Sequence, residues 1–132
     1  MNKQRLTQIL GDMSATPERL HEARLAENAA RLIRDEAKEN LDLAITNALI
    51  ASAGQTEGKN VEERKLRENA YLSQHPQVSA ARKALRQAEA GLLDAQLDTR
   101  RVEDSFAAQR AEVRAIGSYL EYLAGEPRQQ HK

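Results

Sequence analysis

The chain has no cysteine, so disulfides and thiolate metal sites are excluded. It has no tryptophan, one phenylalanine and three tyrosines among 132 residues. A compact core leans on such bulky groups. Six glycines and three prolines leave few places to turn, so few and long elements are expected. Charge of one sign is missing too: 20 basic residues balance 20 acidic ones. A general nucleic-acid binder shows net basic charge or a basic face, and a nucleic-acid mimic is strongly acidic. Neither is visible in the total. No window approaches the ~20 apolar residues of a membrane span, and Met1-Asn-Lys-Gln-Arg-Leu6 opens without the apolar run of a signal peptide. The expectation is a cytoplasmic protein with no membrane contact.

What is present is alanine, leucine, glutamate, arginine and glutamine, a composition suited to closely packed long helices. From Val78 the chain can be followed in alternate steps of three and four. The positions are Val78, Ala81, Leu85, Ala88, Leu92, Ala95, Thr99, Val102, Phe106, Gln109, Val113, Ile116, Leu120 and Leu123. Twelve of these fourteen are apolar, with no register break. An average step of 3.5 residues lays one seam along a helix, and a partner helix must cover it. A helix of this length extends about 70 Å, at about 1.5 Å per residue. Thr99 and Gln109 are its polar members. Either they fix the register of the pairing, or the helices part there and both side chains are wet.

The expected class is all-α: a long antiparallel helical hairpin of coiled-coil type with a short N-terminal helix, self-associating. Residues 1–15 form a weak amphipathic segment, with Leu6, Ile9, Leu10 and Met13 on one face. Thr16-Pro17-Glu18 is a helix start, combining an N-cap, a proline in the first turn and an early acid. The first long helix then spans 16–53. Its seam runs through Ala23, Ala26, Ala30, Ile33, Ala37, Leu41, Ala44, Ala48 and Ala51, with one stutter. Leu25, Ala29, Leu32, Leu43, Leu49 and Ile50 lie off it and form a second apolar face. Residues 54–60 are a glycine-bracketed turn ending on Asn60, a cap for a helix over 61–74. His75-Pro76 breaks or kinks the chain over 75–77, because proline disfavours helical conformation in the residue before it. The heptad helix spans 78–124, Gly125 and Pro127 stop it, and 125–132 are a mobile tail.

The returning arm is longer than the outgoing one, so about residues 100–124 are expected to outrun their partner. Leaving a large side chain in water forgoes about 1.5–3 kcal/mol. Leu93, Leu97, Val102, Phe106, Val113, Ile116, Leu120 and Leu123 are therefore the candidate oligomer or partner interface. The bland alternative for Leu93 and Leu97 is isolated surface leucines, which are common. Arg86, Arg100 and Arg114 share one heptad position, with Arg101 and Arg110 beside them. They are the candidate nucleic-acid contacts, set against the ordinary reading of a solvated face with acidic neighbours.

No motif carries catalysis, so no catalytic residue, metal or cofactor is assigned. His21-Glu22 lacks the second histidine of a zinc-protease helix, since position 25 is leucine. Gly54–Asn60 is one residue short of a phosphate loop and follows a helix where that motif needs a strand.

Ala44-Ile-Thr-Asn-Ala48 runs into the Gly54–Gly58 turn and then Val61-Glu-Glu-Arg64-Lys. A long Ala/Leu/Glu/Arg helix follows, ending Ala111-Glu-Val-Arg-Ala-Ile-Gly-Ser-Tyr-Leu120-Glu-Tyr-Leu123. This layout resembles small helical coiled-coil accessory proteins of bacteriophages and prophages, often encoded near DNA recombination or replication genes. The resemblance covers the last two-thirds of the chain and its motifs are degenerate. It implies a non-enzymatic accessory or adaptor that self-associates and binds protein partners, with DNA as a further candidate ligand. The alternatives are an inhibitor that blocks a host nuclease or defence complex, and a structural scaffold or assembly chaperone.

Overall fold

The computed structural model describes residues 2–52 and 57–130. These form three helices: α1 (Asn2–Ala51), α2 (Val61–Gln74) and α3 (Pro76–Gln130). The class is all-α, and no strand occurs among the described residues. The chain packs as two units, Met1–Ala26 with Gln96–Lys132, and Glu27–Ala95.

The first unit departs from the sequence expectation. Residues 1–15 are not a separate segment, because α1 runs unbroken through Gly11, Ser14 and Pro17. An interior proline costs about 3 kcal/mol and removes one backbone donor. Packing offsets it: Ile9 is 2% exposed and Thr16 fully buried. The Thr16 hydroxyl, which reads as an N-cap, bonds back within the helix instead, Oγ1 donating to the Asp12 carbonyl at 3.1 Å, and Ser14 Oγ donates to the Gly11 carbonyl at 2.7 Å.

The longer α1 also corrects the expected overhang. Starting at Asn2 instead of Thr16 adds about 21 Å of helix. Within the first unit this extra length pairs with α3 in antiparallel sense. Arg5 bonds Glu112, Thr16 meets Gln109 and Arg24 pairs with Glu103, so partner numbers fall as α1 numbers rise. Val102, Phe106, Val113, Ile116 and Leu120 are accordingly half-buried.

In the second unit a small core gathers Ala48, Leu72 and Val78, one residue from each helix. Leu41, Ala44, Ile45, Leu49 and Tyr71 pack against it, half-buried. Of the expected 54–60 turn, residues 54–56 lie outside the described residues, as does the last residue of the expected 16–53 helix. Its far end is well defined. Asn60 has β-region dihedrals and its side chain accepts from the Glu63 backbone N–H at 2.8 Å, an N-cap. The Glu63 carboxylate returns to the Lys59 N–H at 3.0 Å. Gly58 is needed for close approach, since a Cβ there would stand 2.9 Å from the Arg64 nitrogen.

His75 alone separates α2 from α3, with φ −80° and ψ 117°. Its N–H donates to the Leu72 carbonyl and its carbonyl accepts from Ser79, so one residue closes one helix and opens the next. Pro76 is the first residue of α3, where its missing N–H costs nothing. At the other end α3 does not stop at Ala124 but continues to Gln130. Pro127 leaves the Leu123 carbonyl without its intrahelical donor. Residues 121–124 are exposed, so water is at hand to take that place. The expected tail over 125–132 is thus helical as far as 130, and His131 and Lys132 lie outside the described residues.

Candidate interaction surface

The first unit shows how its seam is held. Gln109, a polar seam position, meets the fully buried Thr16 across the two helices, Oγ1 to Oε1 at 3.2 Å. Arg19 Nη2 donates to the same hydroxyl at 3.2 Å. Of the two readings of Gln109, the bonded one is realised. Thr99 is 7% exposed, so it is not a wet position either.

Arg5 clasps Glu112 with two contacts, Nε to Oε1 at 2.8 Å and Nη2 to Oε2 at 3.2 Å. The hydrogen bond, then the charge of Glu112, raises the Arg5 pKa above its ordinary value. Arginine stays charged at all accessible pH.

The candidate interface residues separate into two groups. Leu93 is 56% exposed, Leu97 41% and Leu123 42%. Val102, Phe106, Val113, Ile116 and Leu120 are half-buried within the first unit. The expected free end is therefore half-buried at these five positions and open at Leu123, while the patch at Leu93 and Leu97 stays open.

The five candidate arginines are all exposed on α3. Arg101 pairs with Asp98 at 3.2 Å, and the Arg110 guanidinium lies 4.8 Å from the centroid of the Phe106 ring. The stack has the geometry of a cation–π contact, and Arg110 also covers the apolar ring. These two side chains thus have partners within the chain. Among the described residues no three His, Cys, Asp or Glu side chains group as metal ligands, and no helix is long and apolar enough to cross a membrane.

An open apolar face lies on α1. Leu32 is 70% exposed, Leu43 59% and Ile50 75%. Their spacings of eleven and seven residues return to one side of a helix, within about 20°. Ala30, Ala37, Leu41, Ala44 and Ala48 occupy the roughly opposite side and are buried or half-buried. Both faces are readable as spacing, although the candidate interface residues all lie on α3. Between α1 and α3 the second unit also holds a groove of about 490 Å³, lined by Ala30, Ile33, Ala37, Ala84, Ala88 and Gly91 among others.

Comparison with protein-family models, with curated proteins and with solved structures found no match to this chain.

Proposed function

We propose that this chain is a non-enzymatic helical adaptor. In this reading α1 and α3 fold back on one another as an antiparallel hairpin, and copies associate and bind protein partners through apolar helix faces. The observation that carries it is the row Leu32, Leu43 and Ile50, large side chains at 59–75% exposure on the side of α1 turned away from its own core. Isolated surface leucines need no explanation, but a row on one helix face marks an interaction surface.

The resemblance of residues 44–123 to phage and prophage accessory proteins supports partners among DNA recombination or replication proteins. Direct contact with DNA has less support, since Arg101 and Arg110 are engaged within the chain and the net charge is zero.

The test compares the native chain with Leu32→Ser/Leu43→Ser by light scattering. The adaptor reading expects the native chain to run above its monomer mass and the variant to fall towards it with unchanged helicity. Equal masses for the two would remove the α1 face from the account.

A further inference from the structure

The two open helix faces carry opposite charge. On α1, Glu36 and Glu39 are exposed and lie between Leu32 and Leu43 on the same side of the helix. Arg31, Arg34 and Lys38 project from the other side by helical spacing. The open α1 face is thus apolar with an acidic fringe. On α3, Arg86 and Arg100 are exposed and stand seven residues before and after Leu93, on the side that carries Leu93 and Leu97. Glu89 and Asp94 reach only the edges of that side, and Asp104, seven residues after Leu97, is an exposed acid on it beyond Arg100. The open α3 face is thus apolar with a basic fringe.

We infer that the α1 face of one copy, Leu32, Leu43 and Ile50 with Glu36 and Glu39, packs on the α3 face of a second copy, Leu93 and Leu97 with Arg86 and Arg100. This rests on the adaptor reading and adds which surface meets which. The charges choose the pairing. Stacking α1 on α1 sets glutamates against their own copies, and stacking α3 on α3 sets arginines against theirs. Like charges facing one another across an interface repel, so they act against both arrangements. The crossed pairing brings acid to base on both sides of an apolar centre.

The two faces differ, so the contact is heterologous. Each copy offers one face of each kind, and association continues past a dimer into a ring or a chain.

Two charge-reversed variants test this by sedimentation velocity, with circular dichroism confirming equal helicity. Glu36→Lys/Glu39→Lys makes both faces basic, and Arg86→Glu/Arg100→Glu makes both acidic. Each alone is expected to associate more weakly than the native chain by more than roughly tenfold. Mixed one to one, they regain association, because each now complements the other. A chain carrying all four reversals also regains it. If both variants associate like the native chain, or if neither the mixture nor the fourfold variant recovers, this pairing is overturned and the adaptor reading stands on another surface. A native chain that stays monomeric overturns both.

Discussion

Thr16 and Gln109 meet at 3.2 Å across two helices although they are 93 residues apart in sequence. The threonine hydroxyl has one hydrogen. It lies 3.1 Å from the Asp12 carbonyl and 3.2 Å from Gln109 Oε1, so it donates to one at a time while accepting from Arg19. A fully buried hydroxyl with partners from both sides fixes where α1 sits along α3 in the first unit. A one-turn slip would take Gln109 away from it and leave only its contacts within α1.

Thr16→Val keeps the shape and removes the hydroxyl. It leaves the Gln109 amide without this partner, and a loss of about 1–2 kcal/mol in urea unfolding is expected. Thr16→Val/Gln109→Leu should recover part of that loss, since both ends of the polar contact are then apolar. A double variant that simply sums two losses would contradict a paired role.

Ile9 and Leu10 are adjacent, yet Ile9 is 2% exposed and Leu10 50%. Ile9→Ala should therefore cost about 2–4 kcal/mol, within the range for large-to-small core changes. Leu10→Ala should cost under about 1 kcal/mol. Equal small losses would mean that residues 2–15 contribute no packing.

The link into α2 is set by two residues. Asn60→Ala removes the cap on the Glu63 N–H and is expected to cost about 1 kcal/mol. Gly58→Ala forces a Cβ to 2.9 Å from the Arg64 nitrogen, so the turn must open. Hydrogen exchange of the first α2 amides should quicken in both variants, and unchanged protection would contradict this view of the turn.

Much of the architecture is legible where instructions are local. Asn60 carries its capping oxygen, and Pro76 restricts His75 through its own ring, so the start of α2 and the α2–α3 break can be read from neighbouring residues. The all-α class follows from composition and from the long 3.5-residue period. The N-terminal third was harder, because Gly11, Ser14, Thr16 and Pro17 are ambiguous signals. A hydroxyl before a proline caps a helix in one context and bonds back within a helix in another. What decides is the burial of Ile9 and Thr16 and the contact of Thr16 with Gln109, and no local pattern contains that. The same long-range fact changed the candidate surface. Phe106, Val113, Ile116 and Leu120 read as uncovered only while α1 was thought to begin at Thr16. Leu93 and Leu97 needed no such information, since their heptad positions already turned them away from the seam. The arginines show the limit of counting charge: Arg110 looks available in sequence and lies over Phe106 in space.

The central claim is that this chain works by association through open helix faces, and the mass of the native protein tests it most directly. Light scattering over a concentration series up to about 100 μM covers the range in which an ordinary interface fills. The mass is expected to rise with concentration above the 14.7 kDa of one chain. A constant 14.7 kDa across the series would contradict the account.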